Sequence, residues 1–156
     1  SLGEAMKSLG YRHLSYSPFV IKAFKNGDIA TIKAIASCFD SFDDKPWNDP
    51  DIWPMLHAKH PDALWVYTYR DVAKWRSSYL KYSEQNNAMN EVSFIESLDA
   101  KQFHAKHLDA VRSFESVNEP NLIWLDCDEL SLGGSTILSE ALGFDVQIGH
   151  HNRTIL

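Results

Sequence analysis

The stretch 64–79, LWVYTYRDVAKWRSSY, constrains the fold more than any other part of the chain. Its first six residues are apolar, aromatic or β-branched, and this predicts a buried strand. The pair Arg70-Asp71 follows, and a helix is expected directly after it, with Asp71 as its cap. Ligands of open α/β sheets bind beyond the carboxyl ends of the strands. The charged pair is therefore expected at an edge where binding sites form.

Two side chains of this stretch are suited to one phosphate group. The guanidinium of Arg70 is a planar fork of donors that matches phosphate oxygens. Ser78 follows eight residues later, two helical turns on, and is expected on the same helix face as Asp71. We predict that Arg70 and Ser78 converge at the sheet edge. The alternative is a plain strand–helix junction with a capping Asp and an exposed Arg.

The rest of the chain alternates short apolar segments with amphipathic helices. Further strands are predicted at 11–16, 37–42 and 122–125, and helices with apolar stripes lie between them. Such alternation is typical of a parallel sheet with helices on both faces. A length of 156 residues fits a single domain, and no repeat or linker interrupts it.

Composition narrows the possible partners. The formal charge of −6 creates no field that would attract nucleic acid. No run approaches the roughly 20 apolar residues of a membrane span. The two cysteines, Cys38 and Cys127, lie in apolar runs and are expected to be reduced, buried thiols. We expect a cytoplasmic protein without a membrane span.

The junction resembles the nucleotide-binding segment of sulfotransferases that use 3′-phosphoadenosine 5′-phosphosulfate (PAPS). In that family a strand ends in Arg-Asp-Pro or Arg-Asn-Pro, and a Ser eight residues after the Arg joins it on the 3′-phosphate. Arg70 and Ser78 occupy those positions here, with Val72 in place of the proline. The resemblance continues through segments 1–11 (SLGEAMKSLGY), 42–47 (FDDKPW), 60–61 (HP), 125–126 (LD), 142–143 (LG) and 150–154 (HHNRT).

The resemblance implies a three-layer, P-loop-type α/β fold with a central, mostly parallel sheet and helices on both faces. The family's phosphosulfate-binding loop and the strand before it would precede Ser1. Residues 1–156 are therefore expected to form a single sulfotransferase-like domain that lacks its first strand and P-loop.

The resemblance also implies a reaction and its residues. A sulfuryl group would move from PAPS to a hydroxyl or amine of a small-molecule or carbohydrate acceptor, without a metal. The base would be Asp44 in the loop 42–47, with Asp43 as the second candidate, and Trp47 could contact the acceptor. Arg153 is expected to bind the nucleotide together with Arg70 and Ser78.

Two other functions stay open. A P-loop kinase using ATP and Mg²⁺ would employ Asp126 at a strand end, and a non-catalytic domain would keep only the fold.

Two pairs of histidines have a spacing of three residues on predicted helices, His57/His60 and His104/His107. Neither pair has the His-Glu-x-x-His pattern of a zinc site, and neither has a third ligand nearby in the sequence. These histidines are expected on solvated helix faces.

Overall fold

The computed structural model describes residues 2–85, 98–130 and 136–146, and the following account concerns those residues. The helices are α1 (Leu2–Ser8), α2 (Pro18–Lys25), α3 (Ile29–Ala36), α4 (Trp53–Lys59), α5 (Val72–Gln85), α6 (Leu98–Asn118), α7 (Cys127–Leu130) and α8 (Thr136–Leu142). The strands are β1 (His13–Leu14), β2 (Ser41–Phe42), β3 (Leu64–Tyr69) and β4 (Asn121–Asp126).

Local signals in the sequence begin and end several of these helices. The Ser17 hydroxyl accepts a hydrogen bond from Val20 N at the start of α2, where Pro18 takes the first helical position. Asp28 caps α3 by accepting from the backbone and the hydroxyl of Thr31. Gly143 ends α8 with a φ of 76°, the left-handed conformation that favours glycine after a helix.

The strands form two separate parallel pairs. β1 pairs with β2, placing His13 beside Ser41, and β3 pairs with β4 from Leu64 beside Asn121 to Tyr69 beside Asp126. The predicted parallel pairing is confirmed, and the strand at 64–69 has its predicted bounds. The prediction of one central sheet is wrong for the described residues, because no ladder joins β1/β2 to β3/β4. The predicted strands at 11–16 and 37–42 are too long, since only two residues of each form a ladder. The α/β class is confirmed as a mixture of helices and small parallel sheets.

Helices cover both faces of the β3/β4 pair. Trp65 and Trp124 pack on one face, against a core cluster that includes Ile32, Trp53 and Phe114. On the other face, a second cluster contains these residues: Ala5, Met6, Leu125, Leu138 and Val146. Because side chains alternate along a strand, residues next to each other in β3 reach opposite clusters.

Both cysteines are free thiols, but the expectation that both are buried is wrong for Cys38, which is exposed. Cys38 follows the end of α3, where its thiol donates to the carbonyl of Ala34, so the apolar run around it is the end of a helix. Cys127 is half-buried at the start of α7.

No helix among the described residues is both long enough and apolar enough to cross a membrane.

Candidate functional site

A cavity of about 1510 Å³ lies between the two strand pairs. We call it the β2–β3 cavity, because its lining includes residues 39–44 around β2, all of Leu64–Tyr69, and Arg70. Leu2 and Gly3 of the first turn of α1 also border it. Its volume exceeds the range of about 300–1,000 Å³ that is usual for small-ligand pockets.

Arg70 lies at the cavity where β3 ends, and 28% of its side chain is exposed. Its Nε is 3.7 Å from Asp128 Oδ1 and has no hydrogen-bond partner within the described part of the chain. Lys74 lies closer to Asp128 than Arg70 does, since its Nζ is 2.6 Å from Asp128 Oδ2. That hydrogen bond lowers the pKa of Asp128 and raises the pKa of Lys74. The guanidinium of Arg70 therefore keeps donor capacity for an anion.

Aromatic side chains support the backbone at Arg70. His104 Nε2 lies 3.2 Å from the Arg70 carbonyl oxygen, and the His104 ring lies 5.3 Å from the ring of Trp75. His104 and Trp75 also border the cavity. These contacts hold the end of β3 against α5 and α6.

Four histidines are expected on solvated helix faces, at positions 57, 60, 104 and 107, and this expectation is wrong for three of them. His57, His104 and His107 are all partly buried against aromatic rings, whereas His60 is exposed. Burial lowers the pKa of His107, because desolvation disfavours the charged imidazole. Their spacing on the helices gave no sign of this, since the rings that cover them come from other elements.

The helix after Arg70 begins as predicted. Asp71 Oδ1 accepts hydrogen bonds from the backbone N–H groups of Ala73 and Lys74, at 2.9 and 3.2 Å. Ser78 lies farther along α5, is exposed, and is not part of the cavity lining. No hydrogen bond joins Arg70 and Ser78 among the residues described. Their joint action on one phosphate stays a prediction.

On the β2 side of the cavity, Asp43 faces a buried histidine. Asp43 Oδ1 lies 3.2 Å from His13 Nε2, and 2% of the His13 side chain is exposed against 35% of the Asp43 side chain. The distance is within ion-pair range, but neither atom has a partner with hydrogen-bond geometry in the described residues. His13 Nδ1 lies 2.9 Å from the Ser41 hydroxyl oxygen. This contact follows from the strand register, which sets His13 beside Ser41.

The first turn of α1 closes against this pair because residue 3 is a glycine. A Cβ atom at Gly3 would lie 2.5 Å from His13 Nε2 and 2.6 Å from Asp43 Oδ2. Carbon atoms do not approach polar atoms so closely, so a side chain at this position would push α1 away from the pair. The glycine thus permits α1, β1 and the loop after β2 to meet.

Asp44 also borders the cavity, but its surroundings differ from those of Asp43. It is exposed, its φ is 59°, and its Oδ2 accepts a hydrogen bond from the Ser15 hydroxyl at 3.2 Å. Asp is among the residues that tolerate this left-handed conformation best. Both carboxylates predicted as the base therefore lie at the cavity, one beside a buried imidazole and one beside a serine.

Two other predicted residues have structural contacts. Trp47 is buried and lines the cavity, its ring lies 4.3 Å from that of Phe42, and its carbonyl accepts from the Trp53 indole. Asp126 Oδ1 accepts from the backbone N–H of Asp128 at 2.8 Å, so this carboxylate caps α7.

Arg153, the third residue predicted to bind the nucleotide, lies outside the described residues. Among those that are described, no three His, Cys, Asp or Glu side chains are grouped closely enough to hold a metal ion.

The site thus combines a cation and a carboxylate at one cavity. Arg70 follows β3 and Asp43 follows β2, so a ligand between the two strands can meet a positive group on one side and a proton acceptor on the other. Comparisons of the chain with protein-family models, with curated proteins and with solved structures found no match.

Proposed function

We propose that this chain is a sulfotransferase domain that moves a sulfuryl group from PAPS to a hydroxyl or amine acceptor. The observation that carries the proposal is that Arg70 and Asp43 border the same cavity. The Nε of Arg70 has no hydrogen-bond partner among the described residues. The resemblance of the junction around Arg70 and of the loop 42–47 to the PAPS-dependent family gives this pairing its chemical meaning.

The donor nucleotide would lie at the β3 side of the cavity. The guanidinium of Arg70 would bind its 3′-phosphate, with Ser78 and Arg153 as further contacts implied by the resemblance. The acceptor would lie beside the nucleotide in the same cavity. PAPS supplies the sulfuryl group when it is bound, and adenosine 3′,5′-bisphosphate is the leaving product.

The acceptor would lie at the β2 side, where Asp43 and Asp44 are the candidate bases. One of these carboxylates takes the proton of the acceptor hydroxyl while the hydroxyl oxygen forms a bond to sulfur. The bond between that sulfur and the phosphate oxygen breaks, and its electron pair leaves with the nucleotide. Such a transfer depends on positioning and charge, as phosphoryl transfer does.

The same proposal includes the P-loop-type three-layer fold. It is supported by the two parallel strand pairs, whose strands β2 and β3 both border the cavity. One more parallel strand between β2 and β3 would join the pairs into a single sheet with the helices that already cover both faces of β3/β4.

Nucleotide binding tests the proposed function. Isothermal titration calorimetry of the complete protein, including the P-loop that the resemblance places before Ser1, is expected to show tighter binding of adenosine 3′,5′-bisphosphate than of adenosine 5′-phosphate. Arg70→Ala should weaken the bisphosphate by about 1.5–3 kcal/mol, the value of a charge-assisted hydrogen bond, or roughly 10- to 150-fold. The same variant should change the affinity for the monophosphate far less.

The matched control is Arg112→Ala, because Arg112 is exposed on α6 and does not line the cavity. This control should bind both nucleotides like the unaltered chain. Equal losses for both nucleotides in Arg70→Ala would contradict the assignment of Arg70 to the 3′-phosphate. Binding of ATP with Mg²⁺ in preference to the bisphosphate would favour a kinase instead.

A further inference from the structure

We propose that Asp43 is the base for the acceptor and that His13 is its positioning residue, with Ser41 setting the tautomer of His13. This inference rests on the proposed function, because it names the group that receives the acceptor's proton. It selects Asp43 over Asp44 and adds two residues to the site.

The imidazole of His13 is buried. A side chain that is 2% exposed has lost its contact with water, and a polar atom buried without a hydrogen bond is costly. His13 Nε2 and Asp43 Oδ1 are two such atoms, and they lie 3.2 Å apart at the cavity. Catalytic hydrogen bonds are often poorly aligned before the substrate binds and tighten in the complex. The two atoms are therefore placed to form a hydrogen bond when an acceptor binds and rotates the carboxylate of Asp43.

Ser41 determines which ring nitrogen of His13 carries the proton. Ser41 Oγ lies 2.9 Å from His13 Nδ1, and the serine hydroxyl can donate to an unprotonated ring nitrogen. When Ser41 donates to Nδ1, the proton of the neutral imidazole is on Nε2. That proton is then on the nitrogen 3.2 Å from Asp43 Oδ1, where it can orient the carboxylate once the side chain rotates into hydrogen-bond geometry. One oxygen of Asp43 is held by the histidine, and the other is free to accept a proton.

Asp43 is 35% exposed and lines the cavity, so it can touch an acceptor directly, whereas the side chain of His13 is 2% exposed. Asp44 is also exposed at the cavity, but its carboxylate accepts from the hydroxyl of Ser15 and forms no ion pair with a histidine among the described residues. A base that is held in one direction loses less entropy when it reacts. The geometry thus favours Asp43.

In the proposed step, the acceptor hydroxyl gives its proton to Asp43 Oδ2 as its oxygen forms the bond to sulfur. The sulfur–oxygen bond to the 5′-phosphate breaks, and the electron pair leaves on the phosphate. His13 keeps its Nε2 proton throughout and holds Oδ1. The protonated Asp43 returns its proton to water after the products leave.

The test uses the complete protein, including the P-loop that the resemblance places before Ser1. It measures transfer from PAPS to 2-naphthol, chosen as a simple phenol, together with binding of adenosine 3′,5′-bisphosphate. Asp43→Asn is expected to lower kcat by about 10²- to 10⁴-fold and to leave the nucleotide affinity unchanged. His13→Leu, which fills the site without a donor, should lower kcat by at least 10-fold at an unchanged KM. His13→Gln places an amide donor near the position of Nε2 and should restore most of that loss. Asp51→Asn, at an exposed carboxylate outside the cavity lining, is the control and should match the unaltered chain.

A second measurement reads the tautomer directly. Two-bond ¹H–¹⁵N spectra of the imidazole should show His13 protonated at Nε2 and unprotonated at Nδ1. Ser41→Ala should remove the preference, because Nδ1 then has no donor. A His13 ring protonated only at Nδ1 would overturn the inference, as would a larger loss of kcat in Asp44→Asn than in Asp43→Asn.

The two proposals fail in different ways. Absence of adenosine 3′,5′-bisphosphate binding in the complete, unaltered protein would refute the proposed function and this inference with it. Normal nucleotide binding and transfer together with full activity in Asp43→Asn would refute this inference alone.

Discussion

The close approach of α1 to the His13–Asp43 pair predicts that Gly3→Ala destabilises the fold. Alanine normally stabilises a helix relative to glycine, here by at most about 1 kcal/mol. At this position the new Cβ would lie 2.5 Å from His13 Nε2 and 2.6 Å from Asp43 Oδ2. Asp43 is partly exposed and can turn aside, but the ring of His13 is enclosed. Overpacking of this kind costs about 1–3 kcal/mol, so we expect a net loss of about 1–2 kcal/mol.

Urea unfolding followed by far-UV circular dichroism measures this loss as a lower transition midpoint at an unchanged slope. Ser8→Ala, at the exposed end of the same helix, is the control for helix propensity and should leave the midpoint nearly unchanged. In a His13→Ala background the ring is absent, so Gly3→Ala should no longer destabilise the chain. A Gly3→Ala variant that is more stable than the unaltered chain in both backgrounds would refute the close contact.

Two further outcomes follow from charge and exposure. Hydrogen bonds from Arg12 lower the pKa of Asp40 to about 2. The ionised carboxylate of Asp40 therefore stabilises the fold above about pH 4, and this stabilisation is lost as the pH falls through about 2. Asp40→Asn should therefore be less stable near neutral pH, and its deficit in thermal midpoint should shrink between about pH 4 and pH 2; a constant deficit over that range would contradict the pairing. Burial raises the pKa of the half-buried Cys127 thiol, whereas Cys38 is exposed, so Ellman's reagent should modify Cys38 first at pH ~8. The variant Cys38→Ser should remove the fast phase, and equal rates for both thiols in the unaltered chain would show that Cys127 is open to solvent.

The sequence predicted the β3 region well because its signals are local. The run 64–69 contains residues that favour strands, and Asp71 carries the side chain that caps the following helix. The cap at Asp28 and the glycine at the end of α8 are signals of the same local kind. Each of these signals depends on a few neighbouring residues and on no distant contact, so pattern alone was sufficient.

The environments of the histidines could not be predicted in this way. His104 contacts the carbonyl of Arg70, 34 residues earlier in the chain, and His57 packs on Phe114 of another helix. A helical spacing of three residues shows which side chains share a face but not what covers that face. The exposure of Cys38 has a similar cause, because an apolar run at a helix end resembles a short strand.

The pair of His13 and Asp43 shows how a site can be set by strand register. His13 and Ser41 are 28 residues apart, and neither belongs to a motif that the sequence analysis singled out. Once β1 and β2 pair in parallel, the register sets His13 beside Ser41 and brings the loop after β2 over the same ring. A shift of one residue would turn His13 to the other face of the strand. The register of this small sheet therefore places His13, Ser41 and Asp43 together, and Gly3 allows α1 to pack against them.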